Sequence, residues 1–278
     1  MINYTQNYFD LELLKLSDLK LHETTETYRL RNIYNRISKS RHLINPIIVG
    51  RNKNDLILID GANRYNSLKV IGCKLAIAQI IDYRDSRIQL KDWNHLIYDF
   101  DIEIIRLYCE DNNLKYNFVS YKNGETFLNK KLNTILATDL TKNETIVVHL
   151  SKDFGTLLEE LNKFVKIYFE KFIFDRSEGE IRIADLKKYT RKKGTLIEFP
   201  KFKKNHILRI ANNKHKIPAG ITRHILINRI LHVKYEIKNL LDEKDIDKKS
   251  EELKRYLLKK IDDNKVRQYT ESVIVFDE

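Results

Sequence analysis

Leu56-Ile57-Leu58-Ile59-Asp60-Gly61-Ala62-Asn63-Arg64-Tyr65-Asn66-Ser67-Leu68-Lys69-Val70-Ile71-Gly72 sets a strand, a glycine turn and a polar helix start one after another. Four aliphatic residues ending in Asp60 suit a buried strand, and Gly61 permits a tight exit that a side chain would obstruct. Tyr65, Leu68 and Ile71 share one face of the helix that follows, and Gly72 offers a left-handed C-terminal cap. The N-terminus of that helix directs free N–H groups and the positive end of its dipole past the strand end. Asn63 and Arg64 lie in the first turn, so a phosphate or carboxylate there meets backbone donors, an amide and a guanidinium together. The same residues also fit an ordinary β-turn-α corner in which Asp60 caps the helix.

Upstream, residues 11–16 alternate as a strand and lead to His22-Glu23. The threonines that follow can cap a helix whose inward face is Leu30, Ile33, Tyr34 and Ile37, which puts Glu23 at a strand-to-helix junction. His22 and Glu23 read either as site residues or as a surface pair. A second strand is expected over 46–49, a turn over 52–55, and a return strand over 75–81. Residues 1–84 thus form one α/β unit with short connections.

Residues 85–278 make a second, smaller α/β domain in this reading, so the whole is an α/β (α+β) protein. A mostly helical pattern is expected over 85–113, with Leu90, Trp93, Ile97 and Phe100 on one face. Trp93, the only tryptophan, fills the core or, with His95, walls a pocket. Weak strand character follows up to Thr141, then a strong strand over 144–150 and an amphipathic helix over 153–174. A further helix is expected over 204–213. In Lys216-Ile217-Pro218-Ala219-Gly220-Ile221-Thr222-Arg223-His224 the Pro-Ala-Gly turn holds Thr222 and Arg223 on stiff backbone. Arg223 can clamp a carboxylate or phosphate, or bridge two domains. A charged helix over 242–263, with Ile246, Leu253, Leu257 and Ile261 as its apolar stripe, and a strand over 273–276 close the chain.

The 278 residues are 42% hydrophobic and 10% aromatic, enough for sizeable cores. No apolar run reaches the roughly 20 residues of a membrane-spanning helix, and the first residues are too polar for a secretory signal, which points to the cytoplasm. Cys73 and Cys109 lack zinc-ligand or Cys-x-x-Cys spacing and read as buried thiols. The formal charge of +12 raises nucleic acid as a secondary partner. Clusters such as Lys187-Lys188, Arg191-Lys192-Lys193 and Lys201-Phe202-Lys203-Lys204 are spread like solvated faces, however, and form no single stripe.

Asp60-Gly61-Ala62-Asn63-Arg64-Tyr65, with its flanking strand and Ser67-Leu68-Lys69, resembles the Asp-Gly-x-x-Arg box of the ParB/sulfiredoxin superfamily. With His22-Glu23, Trp93, His95, Pro218-Ala219-Gly220-Ile221-Thr222-Arg223 and Tyr269-Thr270-Glu271 in the same order, nearly the whole chain resembles the free serine kinases of siderophore clusters and archaea. That resemblance implies phosphorylation of free L-serine to O-phospho-L-serine by ATP or ADP with Mg²⁺, serving siderophore or cysteine biosynthesis. It implies Glu23 as general base, and Asp60 as the Mg²⁺ contact or a second carboxylate. Gly61, Ala62, Asn63 and Arg64 then hold phosphate, and His22, Trp93, His95, Thr222 and Arg223 surround serine. A homodimer is a further expectation. Many relatives carry histidine where this chain has Asn63, which can donate to phosphate but has no proton to exchange near neutral pH. No Gly-x-x-x-x-Gly-Lys-Ser/Thr run is present, so the phosphate cradle falls to the Asp60–Arg64 turn. A ParB-like DNA-binding regulator is the alternative, although strands and an aromatic-faced helix follow the box where such a protein carries a helix-turn-helix. A sulfiredoxin-like reductase lacks its cysteine, since Cys73 lies beyond the helix cap.

Overall fold

The strand read at 56–60 is observed as Asp55–Asp60, in a computed structural model that describes residues 10–178, 185 and 194–269. In chain order the first elements are β1 (Leu11–Lys15), β2 (Leu19–Leu21), α1 (Thr27–Ser40), β3 (His42–Leu43), β4 (Ile47–Asn52), β5 (Asp55–Asp60), α2 (Ala62–Ile71) and β6 (Leu75–Asp82). There follow β7 (Gln89–Tyr98), α3 (Ile102–Asp111), β8 (Lys115–Val119), α4 (Tyr121–Lys130), β9 (Thr134–Asp139), β10 (Glu144–His149) and α5 (Phe154–Val165). The remainder is β11 (Phe174–Glu178), β12 (Gly194–Glu198), α6 (Lys204–Ala211), β13 (Thr222–Ile225), β14 (Tyr235–Glu236) and α7 (Ile246–Asp262). The expected strand over 273–276, Thr270-Glu271, and the Lys187-Lys188 and Arg191–Lys193 clusters lie outside the described residues.

Five strands in the order β1-β6-β4-β5-β2 make the first sheet, in which β4–β6 and β2–β5 run parallel. Helix α2 lies between a left-handed Gly61 and a left-handed Gly72, whose N–H returns to the Leu68 and Lys69 carbonyls. Its buried Tyr65 and Leu68 join Leu58, Leu75 and Ile77 in one core.

The second sheet has seven strands, β11-β7-β12-β9-β10-β8 with β13 also on β7, and is entirely antiparallel. The second unit is therefore the larger one, contrary to the sequence expectation. One strand of that sheet lies in the 85–113 stretch, expected to be mostly helical. Its apolar spacing at 90, 93, 97 and 100 imitates a helical stripe, but residues 89–98 form the hub strand β7, both of whose edges are paired. A strand covered on both faces loses the simple alternation that marks a half-buried one. Helix is confined to α3, which begins where the Asp101 carboxylate accepts from the Glu103 N–H at 3.0 Å. Likewise α4 occupies a region expected to be weak strand, and α5 stops at Val165 well short of residue 174.

The C-terminal stretch returns to the first unit. Val233, Tyr235, Ile237, Leu240 and Leu253 are buried in the core of β5 and α2, so a division into 1–84 and 85–278 does not separate the two cores. Both cysteines are buried free thiols.

Candidate active site

Asp60 ends β5, and Gly61 reverses the chain at φ +100°, where an added Cβ would stand 2.8 Å from the Arg64 guanidinium. Glycine is thus required twice, for its dihedral and for the room that lets Arg64 fold back over the turn. The helix start carries no side-chain cap, because its N-cap residue is Gly61; the Asp60 carboxylate before it accepts from Arg64 at 3.3 Å and from Arg229. Burial pushes the Asp60 carboxyl upward, but the two guanidiniums overrule it and hold the group below its ordinary range. Next to them, Arg64 Nε and Asn63 Oδ1 are buried without a hydrogen-bond partner, and Ala62 is buried. Arg64 Nε is a donor that an incoming anion would satisfy, whereas Asn63 Oδ1 can only accept and would not bond an anion.

Glu23 reaches the same place from the other side. The strap Ile217–Gly220 is tied alongside it: Ile217 N–H donates to the His22 carbonyl at 3.0 Å, and Thr24 N–H to the Ile217 carbonyl at 2.8 Å. Ala219 N–H donates to Thr24 Oγ1 at 3.2 Å, so this threonine serves the strap, and α1 begins after Glu26 with no side-chain cap. Gly220, at φ +75°, packs against the Arg176 guanidinium so closely that any Cβ would collide with it. Its N–H lies towards the Glu23 carboxylate and favours the ionised form. Burial first, and then the neighbouring Asp60 charge, push the Glu23 carboxyl up to about 8.

His22 and His95, expected to face serine, are inside the protein at 1% and 0% exposure. His22 Nδ1 donates to the Leu58 carbonyl at 2.8 Å, since a carbonyl can only accept. His224, also buried, lies against the Ile59 backbone, with Nε2 2.9 Å from the Tyr83 hydroxyl. Burial lowers these two rings to about 4 and about 3, so both are neutral clamps on the end of β5. His95 lies between the Tyr168 hydroxyl at 2.7 Å and the Gly220 carbonyl at 3.0 Å.

Thr222 and Arg223 do not converge. They are successive residues of β13, opposite Asp92 and Lys91, and so face opposite sides of the sheet. The Arg223 guanidinium lies 4.8 Å from the centre of the Trp93 ring and pairs with Glu178, while Thr222 is buried with Oγ1 unpartnered. Arg176, Glu26, Arg229 and His224 were not singled out from sequence. Arg176 pairs with Glu26 at 2.5 Å, and Arg229 joins Asp60 from 169 residues away. No local motif carries such partnerships.

Among the described residues no three His, Cys, Asp or Glu side chains converge as a metal cluster. With Asp60 already neutralised by two guanidiniums, the side chains present do not fit a protein-built Mg²⁺ site there. A groove of about 1150 Å³ between Asn113–Asn117 and His149–Lys152 contains none of these residues, whereas a cavity of about 200 Å³ is bounded by Thr24, Pro218 and Ala219. No helix among the described residues is long and apolar enough to cross a membrane.

No family model matches the chain. Its sequence is 32% identical over 88 residues to the ATP-dependent L-serine kinase SbnI of Staphylococcus aureus, a stretch covering 31% of this chain and 34% of that protein. It is 27% identical over 242 residues to an ATP-dependent L-serine kinase of Staphylothermus marinus, covering 77% and 84%. In three dimensions, C-terminally truncated SbnI superposes with a TM-score of 0.71 at 20% identity, over 92% of this chain and 99% of that one. A point mutant of a free serine kinase in complex with ADP superposes with a TM-score of 0.70 at 14% identity, over 83% and 94%. The chain shares the fold of the free serine kinases. The ParB/sulfiredoxin-like reading of the fold is supported as well by 29% identity over 121 residues to a ParB-like protein of Sulfolobus acidocaldarius, 43% of this chain and 59% of that one.

Proposed function

We propose that the protein is an L-serine kinase that transfers a phosphoryl group from ATP or ADP to the hydroxyl of free L-serine. The observation that carries this reading is the pairing of Glu23, a carboxyl that burial raises to about 8, with the Asp60–Arg64 turn, where Arg64 Nε is a buried donor without a partner. A base near the working pH beside an anion cradle is the minimum equipment for phosphoryl transfer to an alcohol. The serine Oγ–phosphorus bond forms, the donor's phosphoanhydride bond breaks, and the hydroxyl proton passes to Glu23. Gly61, Ala62 and Asn63 offer backbone N–H groups and an amide to the phosphate, and Arg64 stabilises its equatorial charge. Asp60 anchors Arg64 and Arg229 so that both guanidiniums keep their aim. Thr222, with a buried free hydroxyl two residues from Gly220, is the serine contact, while Arg223, stacked on Trp93 on the opposite face of the sheet, stands outside that pocket. Mg²⁺ arrives in this reading on the nucleotide phosphates, and no step here is assigned to it. The product, O-phospho-L-serine, would feed siderophore or cysteine assembly in the cytoplasm.

The test is a transfer assay with free L-serine and ATP or ADP in parallel, comparing wild type with Glu23→Gln. O-phosphoserine from wild type and none from the variant supports the reading and names the donor. No product from either nucleotide overturns it. The DNA-binding regulator gains no support from the architecture, since a seven-stranded antiparallel sheet follows the phosphate turn.

A further inference from the structure

His95 sits on the hub strand of the large sheet, fully buried among Phe174 and Phe199, with ring centroids 4.6 and 4.9 Å away. Such a site favours a neutral ring. The Gly220 carbonyl can only accept, so Nε2 bears the hydrogen; Nδ1 is then an acceptor, and the Tyr168 hydroxyl donates to it. The tautomer is fixed from both sides. Beyond Gly220 the line continues, because the N–H of the same residue lies towards Glu23 and favours its ionised form. The earlier part of the strap, residues 217–219, is tied to residues 22–24, but its far end is held by β7, through His95 and through Trp93 N–H to the Ile221 carbonyl at 3.1 Å. Glycine has no side chain by which it could be gripped, and its left-handed dihedral is available to other conformations at little energy.

We propose that His95 is a positioning residue for Glu23, acting through Gly220: the Tyr168–His95 pair fixes the strap so that the Gly220 N–H takes one carboxylate oxygen and leaves the other free for the serine hydroxyl. This rests on the serine kinase reading. It also explains why a histidine in this segment is buried with both nitrogens occupied, an arrangement that leaves it no atom for substrate.

The experiment compares wild type with His95→Leu, which removes the donor, and His95→Gln, whose amide can donate to Gly220 and accept from Tyr168. For His95→Leu, kcat falls about 10- to 100-fold, the scale of a small misplacement of a reacting group, with KM for serine and nucleotide within about threefold. His95→Gln recovers most of that loss. The acid limb of the kcat/KM–pH profile moves to higher pH in His95→Leu and back in His95→Gln, while Asp60, Glu26 and Arg176, the charged groups facing Glu23, are the same in all three proteins. Carboxyl ¹³C NMR of Glu23 reads the same displacement without turnover. An inactive wild type would therefore overturn the kinase reading while the NMR arm still decides the role of His95. Where His95→Leu fails to fold, Tyr168→Phe, which deletes one hydroxyl, carries the test with a smaller change of the same sign. The proposal is overturned by an unmoved Glu23 titration, by equal impairment of the Leu and Gln variants, or by a raised serine KM at unchanged kcat, which would place the ring against substrate.

Discussion

Replacing Glu23 by glutamine should slow transfer by about 10²–10⁴ and at the same time make the protein more stable at alkaline pH. In the folded chain burial and the Asp60 charge raise this carboxyl to about 8, against 4.5 for the free side chain. The folded protein therefore binds the proton more tightly than the unfolded chain. Below about pH 4.5 both states are protonated and the site costs nothing; as pH rises toward 8 the unfolded chain ionises first and stability falls. Above the folded value the full penalty is present, on the order of 5 kcal/mol from the gap between the two values, and less where water reaches the carboxylate. Glutamine keeps an oxygen that can accept from Gly220 and carries no charge, so it escapes the penalty. Urea denaturation at pH 5 and pH 9 tests this: the variant should match wild type at pH 5 and exceed it by a few kcal/mol at pH 9, with activity down by about 10²–10⁴. For wild type, kcat/KM should climb through a midpoint near pH 8, because the base works only when ionised. An equal stability difference at the two pH values would refute the argument, for it would show that Glu23 titrates normally.

Gly220→Ala must place a side chain at φ +75° and into Arg176; the dihedral alone costs about 1–2 kcal/mol, and displacement of the strap should lower kcat as well, both measurable by unfolding and steady-state assays. Arg64→Ala should weaken nucleotide binding by about 10- to 100-fold in calorimetry with ADP, the range for loss of a charge-assisted contact, and an unchanged affinity would remove Arg64 from the phosphate site. Burial pushes the Cys73 and Cys109 thiols up to about 11 and about 12, so neither should react with a thiol reagent at pH 8 until the protein unfolds; fast labelling of the native protein would contradict their placement.

What the sequence disclosed was local. The Leu56–Gly72 stretch could be read because a strand, a left-handed glycine and a helix start follow one another, and each step depends on neighbours a few residues away. Glu23 was visible as a junction residue, but its partner was not, since the strap beside it is tied to the neighbouring Thr24 from 195 residues further on, at Ala219. Arg229 reaches Asp60 over a similar gap, and Arg176 is one of many arginines in a basic chain. His95 was recognisable as a residue of interest, yet its burial depended on knowing that β7 is a strand paired on both edges. There the helical spacing of Leu90, Trp93 and Ile97 misled. Thr222 and Arg223 looked like one clamp only while the backbone between them was read as a turn; as strand neighbours they part company.

The placement of Asp60 follows from how β5 is shared. Leu58 belongs to the core that holds α2 and the C-terminal segment, whereas Ile57 and Ile59 belong to the core under the seven-stranded sheet. One strand thus has each face in a different core, and its last residue emerges at the seam between them, where strap, phosphate turn and Glu23 meet. Neither core can shift without moving Asp60. Leu58→Ala and Ile59→Ala lie on opposite faces, and each should cost about 2–5 kcal/mol of stability, the usual range for emptying a buried aliphatic site. If the seam sets the geometry, both substitutions should also lower kcat at temperatures where the variants remain folded. A loss of stability with unchanged kcat from either face would mean that the turn is held by its own hydrogen bonds and ion pairs, independently of the cores beneath it.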